Sequence, residues 1–207
     1  MALDKDIVGS IEFLEVEGLQ GSTYLLKGPN GEQVKLNQSE VADEDEFEIG
    51  EEYSFFVYPN RSGELFATQN MPDITKDKYD FAKVLKTDRD GARIDVGLPR
   101  EVLVPWEDLP KIKELWPQAG DYLLVTLRID SNNQMFGRLA SETIVEGMFT
   151  PVMDDSKQNE MIEARAYRLL RVGSFLLSED GYKIFVHESE RKQEPRLGEK
   201  VEVRIIC

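Results

Sequence analysis

The sequence has little of the material from which most catalytic and metal centres are built. It holds one histidine, His187, and one cysteine, Cys207. That pair cannot assemble a zinc site of the Cys/His type, and no metal or other cofactor is expected. A lone cysteine also excludes an intramolecular disulfide, which fits a reducing cytoplasm. No G-x-x-x-x-G-K-[ST] or G-x-G-x-x-G run occurs, so the loops that cradle phosphates are missing. No serine sits in a G-x-S-x-G turn, and any nucleophile–histidine pair would have to draw on His187. A carboxylate pair stays open among 40 acidic residues, but nothing selects one, and a small barrel rarely forms the deep acidic cleft it needs. No catalytic residue is expected, and the chain reads as a non-enzyme. Apolar runs such as Phe55–Tyr58 and Tyr122–Val125 fall far short of the roughly 18 to 20 residues of a membrane span. The start, Met1–Asp6, lacks the basic and apolar regions of a signal peptide. A cytoplasmic protein with no membrane partner is therefore expected. Basic residues are scarce too, 25 against 40 acidic, for a formal charge of -15. The 41% hydrophobic content is nonetheless that of a folded chain rather than a disordered one.

What is present is a repeat. Three segments share one frame. Gly21-Ser22-Thr23-Tyr24-Leu25-Leu26 leads to Val34-Lys35-Leu36-Asn37 and then Ile49-Gly50-Glu51-Glu52-Tyr53. Gly91-Ala92-Arg93-Ile94-Asp95-Val96 leads to Val102-Leu103-Val104-Pro105 and then Gly120-Asp121-Tyr122-Leu123. Gly173-Ser174-Phe175-Leu176-Leu177 leads to Ile184-Phe185-Val186-His187 and then Gly198-Glu199-Lys200-Val201. The glycines at 21, 91 and 173, and those at 50, 120 and 198, serve as landmarks. Alternation after the second glycine, as in Tyr53/Phe55/Val57 and Val201/Val203/Ile205, marks strands. Turn chemistry at Pro29–Gly31, Asn60–Gly63, Asp88–Gly91, Ser131–Asn133 and Glu179–Gly181 separates them. Short strands at this spacing match a small OB-type Greek-key barrel of five strands. The expected fold is all-β, with three tandem barrels at 1–70, 71–144 and 145–207. Residues 73–78 and 151–159 read as boundaries. Residues 109–116 read as a helical turn or two, with Trp106 and Trp116 as packing residues beside it. Last strands are expected at Glu64–Ala67 and Met135–Leu139. The third unit shows none: either the chain continues, which is the favoured reading, or another segment supplies it.

The run Gly-Ser-Phe, then Ile-Phe-Val-His-Glu-Ser-Glu, then Leu-Gly-Glu-Lys-Val-Glu-Val resembles the S1-type RNA-binding domain, whose pattern is G-A-F-V, G-L-V-H-x-S-E and G-x-x-V-x-V. The second unit, with Ile94–Pro99 and Val102–Pro105, is similar to the conserved virulence factor B family, whose bacterial members carry S1-like units ahead of a winged helix. The resemblance implies a cytoplasmic RNA-binding regulator, with the winged helix absent from this sequence.

Strand parity indicates which unit suits RNA without help from the family. Successive side chains point to opposite faces. In the third strand of each unit, one parity is apolar throughout (Val34/Leu36, Val102/Val104, Ile184/Val186) and is taken as interior. The opposite parity reads Lys35/Asn37, Leu103/Pro105 and Phe185/His187. In the second strand the outward set is Thr23/Leu25, Arg93/Asp95 and Phe175/Leu177. Only the third unit offers Phe175, Phe185 and His187 together, with Tyr182, Lys183 and Arg171 as neighbours. OB-type barrels bind single strands on this face, because bases stack on flat side chains while cations meet phosphates. A slip of one residue would exchange the faces and turn the phenylalanines into core.

Charge bears on the choice. Residues 1–70 hold 4 basic and 15 acidic side chains, whereas 71–144 and 145–207 each carry a net -2. The first unit should repel RNA or serve a protein partner, while the third can hold a local basic patch from Arg165, Arg168 and Arg171. Single-stranded RNA, bound weakly by this length of chain, is the expected partner. The alternative is an interaction scaffold of OB-type barrels that binds no nucleic acid.

Overall fold

Three times the chain lays down a long strand, a hairpin partner and a third strand, and each time the same backbone hydrogen bonds fix the arrangement. The computed structural model describes residues 7–42, 46–151 and 157–206. The first set comprises β1 (Ile11–Gln20), β2 (Thr23–Lys27), β3 (Gln33–Asn37), β4 (Glu52–Pro59) and β5 (Leu65–Thr68). The second comprises β6 (Asp80–Asp88), β7 (Gly91–Asp95), β8 (Val102–Pro105), β9 (Tyr122–Ile129) and β10 (Met135–Leu139). A short helix α1 (Glu142–Met148) and β11 (Thr150–Pro151) precede β12 (Met161–Leu170), β13 (Gly173–Ser178), β14 (Tyr182–His187) and β15 (Lys200–Arg204). The first two sets close into barrels in the orders β1-β2-β3-β5-β4 and β10-β8-β7-β6-β9, and the third is a sheet in the order β11-β14-β13-β12-β15. By packing, the chain forms two compact units. Of the described residues, one contains those within 1–80, 96–102 and 126–137, and the other those within 81–95, 103–125 and 138–207.

The repeat has a physical basis in a bulge. The pairing of the first strand with the second shifts register between Val16 and Gly18, between Val84 and Lys86, and between Ala166 and Arg168. At each bulge the carbonyl of Val16, Val84 or Ala166 accepts the N–H of Gly50, Gly120 or Gly198. Those glycines have φ of 91°, 95° and 82°, a left-handed turn that other residues enter only with strain. The end of the third strand is pinned likewise: Gln38, Trp106 and Glu188 donate to Ser22, Asp90 and Val172. These bonds correct one landmark. Thr23, Gly91 and Gly173 occupy the same pairing position, opposite Gln20, Asp88 and Leu170, so Gly21 lies two residues ahead of it. A shift of two leaves side-chain parity intact, so each residue keeps its face.

The interior parity is filled as the alternation requires. Leu14, Val16, Leu26, Val34, Leu36, Phe55 and Val57 fill the first barrel. Ile162, Ala164, Ala166, Leu176, Ile184 and Ile205 fill the third sheet. The turns form where their chemistry placed them. The Asn60 carboxamide accepts the N–H of Ser62 and Glu64, and the Asp130 carboxylate does the same for Asn132 and Gln134.

Four expectations are corrected or refined. Residues 109–116 hold only the 3-10 turn Lys113–Leu115, with a second at Trp106–Asp108, because Pro110 and Pro117 leave no room for more. Trp106 is 54% exposed rather than packed, whereas the Trp116 indole donates to the Pro110 carbonyl. Residues 73–78 are tied down, with Lys76 donating to Gly9 and the Thr75 carbonyl accepting from Leu127 and the Thr126 hydroxyl. In the third sheet β11 pairs in parallel with β14 over two residues, on the edge where the first barrel has β5. Between β14 and β15 a cleft of about 500 Å³ remains, lined by Leu176, Val186, Val201, Val203 and Ile206 among others. Cys207 and residues 152–156 of the expected boundary lie outside the described residues, as does Met1–Asp6.

Candidate nucleic-acid interface

Phe175 of β13 pairs directly with Phe185 of β14, so their side chains rise from the same side of the sheet. The ring centroids are 4.8 Å apart at 44°, and the His187 ring stands 6.3 Å from Phe185 at 76°. Phe185 is 47% exposed, His187 is exposed and Phe175 is half-buried. Gly173, opposite His187, provides the floor. A Cβ there would lie 2.6 Å and 2.7 Å from the edge of the Phe185 ring, so only a glycine lets the ring lie flat on the strand. His187 Nδ1 accepts the Ser189 N–H at 3.2 Å and lies 2.9 Å from its hydroxyl, which fixes the ring and directs its bonding capacity through Nε2.

The matching positions of the other sets are Leu25, Lys35 and Asn37, and Arg93, Leu103 and Pro105. They offer no ring, and their cations are already paired: Lys35 with Glu64 at 2.8 Å, Arg93 with Asp88 and Asp90 at 3.3 and 3.5 Å.

The cations expected around the aromatic face are distributed differently from the sequence reading. Lys183 borders the face, 5.9 Å from the Phe175 ring centroid, but donates to the Glu142 carboxylate of α1 and is only 17% exposed. Arg168 lies 5.7 Å from the same centroid and donates to Glu142 at 3.1 Å. The Tyr167 hydroxyl reaches both Glu142 oxygens at 3.2 Å. Burial tends to raise the Glu142 pKa, but the hydrogen bonds from Lys183 and Arg168 prevail and hold the carboxyl below its ordinary range. Burial and the Glu142 charge push the Tyr167 phenol up. Arg165 is spent on the Tyr122 ring, 4.3 Å from its centroid, and on the Gly198 carbonyl. Arg171, in the turn between β12 and β13, is exposed and makes no ion pair among the described residues. Tyr182 falls on the other face, packed against the interior cluster, with the Lys157 ammonium 5.9 Å from its ring. The structure thus brings Phe175, Phe185 and His187 together with Lys183 at one end of their face, leaves Arg171 in the β12–β13 turn, and separates Tyr182 from the face. Leu177, also expected outward, is fully buried yet outside the interior cluster. The outer surface is covered at that end, where α1 buries Val145 and Glu142 reaches Lys183, the pairing partner of Leu177.

Sequence reasoning missed Glu142 and Tyr167. Tyr167 is the extra residue of the β12 bulge, and a bulge suspends the alternation on which the facing argument rests. Glu142 lies outside the repeat frame, with no motif to mark it.

Comparison with known proteins agrees with this architecture. Residues 8–70 match a model of the S1 domain. Residues 79–138 match the CvfB first S1-like domain, and 148–207 the second domain of virulence regulatory factor CvfB. The chain is 91% identical over 206 residues to conserved virulence factor B of Staphylococcus epidermidis, strain ATCC 35984, and 85% identical to the Staphylococcus aureus USA300 protein of the same name. Each alignment covers 100% of this chain and 69% of the relative. Among solved structures, a multidomain protein with nucleic acid binding domains from Streptococcus pneumoniae superposes with a TM-score of 0.84 at 28% identity, covering 97% of this chain and 70% of that one. On identity across its whole length, the chain belongs to the conserved virulence factor B family.

Proposed function

We propose that this protein is an RNA-binding regulator, not an enzyme, acting in the cytoplasm, and that single-stranded RNA lies on the outer face of β13 and β14. Its modules are those expected at 1–70, 71–144 and 145–207, the third carrying the site. The observation that carries the reading is the pair of Phe175 and Phe185 rings 4.8 Å apart with Phe185 half in solvent. A half-exposed ring beside a second, half-buried one presents a flat apolar surface that a base can cover. The S1-type relatives and the pneumococcal protein with nucleic acid binding domains support a nucleic acid as that cover. Stacking contributes about 1 to 3 kcal/mol per base and is tolerant of sequence. The RNA reading therefore predicts modest affinity and little base discrimination.

The test is fluorescence anisotropy with a labelled oligo(U) at two salt concentrations. Binding is expected to weaken with salt and to fall at least about fivefold in Phe185→Ala, and further in Phe175→Ala/His187→Ala. Saturable binding untouched by those changes would remove the rings from the site.

One observation favours a second surface for a protein partner. The first barrel carries a net -11 over residues 1–70, yet exposes Ile11 and Phe13 of β1, the latter to 68%. Exposed apolar groups on a strongly acidic module fit a basic protein surface better than a phosphate backbone.

A further inference from the structure

Glu142 sits where an anion would sit. Its two oxygens receive the Tyr167 hydroxyl, the Arg168 guanidinium and the Lys183 ammonium. The two cations that bind it also lie 5.7 Å and 5.9 Å from the Phe175 ring centroid. A ring for a base and three donors for an oxyanion are therefore adjacent, and the oxyanion place is held by the protein's own side chain. Two cations and a phenol around one acceptor recognise a phosphate as readily as a carboxylate.

Glu142 is also able to leave. It belongs to a helix of seven residues whose only buried side chain is Val145. The segment is anchored further by Phe149, 6.4 Å from Phe81, so a rotamer change at 142 frees the donors without undocking α1. Glu142 keeps one quarter of its side-chain surface in solvent, and flanking Ser141 and Thr143 are exposed. Glu146, 3.9 Å from Lys183, adds a second negative charge that disfavours an incoming phosphate in the same way.

We propose that Tyr167, Arg168 and Lys183 form a backbone-phosphate subsite of the aromatic face, occupied by the Glu142 carboxylate until single-stranded nucleic acid displaces it. This rests on the RNA reading above and adds to it a built-in competitor that lowers affinity. Displacing a tethered carboxylate releases no counterion, so wild-type binding is less salt-dependent than the number of cations suggests. Removing the carboxylate restores one phosphate contact of the ordinary kind, which adds about 0.7 to the log–log salt slope for a single strand.

The experiment is the oligo(U) titration on wild type, Glu142→Gln and Glu142→Ala, each checked for folding by circular dichroism. Both variants are expected to bind about tenfold more tightly, the scale of one charge-assisted hydrogen bond, with the steeper salt slope. Adding Arg168→Gln/Lys183→Gln to Glu142→Gln is expected to cancel the gain. Wild-type binding that depends on Phe185, with Glu142→Gln equal or weaker, overturns the subsite and leaves the RNA reading standing, because Glu142 would then be ordering its cations. No binding by any variant at low salt overturns the RNA reading and the subsite with it. A gain that survives loss of Arg168 and Lys183 also overturns the subsite, since it would report only the change in net charge.

Discussion

Gly173→Ala is the sharpest single test of how the aromatic face is built. An alanine Cβ would stand 2.4 Å from the Val186 carbonyl oxygen and 2.6 to 2.7 Å from the Phe185 ring. The ring is the far end of a side chain and can swing aside. The carbonyl is backbone of β14 and must move beyond 3.0 Å, which strains the adjacent pairs Gly173↔His187 and Ser174↔Val186. Overpacking of this kind costs about 1 to 3 kcal/mol, and the entropic gain of replacing a strand glycine returns about 0.5 to 1 kcal/mol. Because the clash is with backbone, the upper half of that cost applies, and a net loss of about 1 to 2.5 kcal/mol is expected, read as a lower urea midpoint at unchanged slope by far-UV circular dichroism. The fold itself does not forbid a side chain here, because Thr23 occupies the matching place in the first barrel and lies 3.3 Å from the Asn37 carboxamide. What forbids it is the closeness of β13 to β14 and the ring lying across the strand. Gly173→Ala combined with Phe185→Ala should therefore recover only part of the loss, since the carbonyl contact stays. Wild-type stability in Gly173→Ala, or full recovery in the double variant, would refute this account of the floor.

Arg196 donates to both oxygens of the buried Asp121, at 3.2 Å each; Arg196→Met leaves that carboxylate with the Gln118 N–H but no cation and is expected to cost about 2 kcal/mol by thermal melting, below the full cost of a broken buried pair because Arg196 is partly exposed. Leu36→Ala empties part of the first barrel's interior, where Leu36 is fully buried, and should cost about 2 to 5 kcal/mol by urea denaturation, leaving the proposed oligo(U) site intact. The Glu142 carboxyl is held below its ordinary range when folded, so its stabilisation is complete above the unfolded pKa and is lost as pH falls through the folded one. The stability difference between wild type and Glu142→Gln should accordingly be largest at neutral pH and vanish in acid; a difference independent of pH would mean that the carboxylate charge contributes nothing.

How much of this was legible depended on how regular the backbone is. The interior of β3, β8 and β14 was readable because an unbroken strand has period two and Val34/Leu36, Val102/Val104 and Ile184/Val186 obey it. Phe185 and His187 followed from the same parity. The first-glycine frame was off by two at Gly21, and the error did no damage because two is the period. Tyr167 failed because the bulge breaks the alternation at that residue. Tyr182 failed for the opposite reason: its parity, shared with Ile184, already placed it inside, and proximity in sequence to Phe185 outweighed that. The pairing of Lys183 with Glu142 depends on α1 folding back from outside the repeat, a contact between residues 41 apart that no periodicity encodes.

An acidic chain with a proposed stacking face poses a question on which its ion pairs bear. The cations of the third sheet are largely committed. Arg168 and Lys183 go to Glu142, Arg196 to Asp121 and Glu199, Lys200 to Glu163 and Glu179, Arg191 to Glu194 and Lys157 to Glu160. Arg171, Lys192 and Arg204 are the exposed cations of this sheet without an ion pair among the described residues, and Arg204 donates to the Asn159 carboxamide. If wild-type protein meets one or two phosphates, its log–log salt slope for single-stranded RNA should be about 0.7 to 1.4 in magnitude, shallow beside that of basic RNA binders. Affinity must then come mainly from Phe175 and Phe185, and substitution of either ring should cost more than substitution of Arg171. A slope several times larger would place the phosphates on some other surface and detach the aromatic pair from RNA binding.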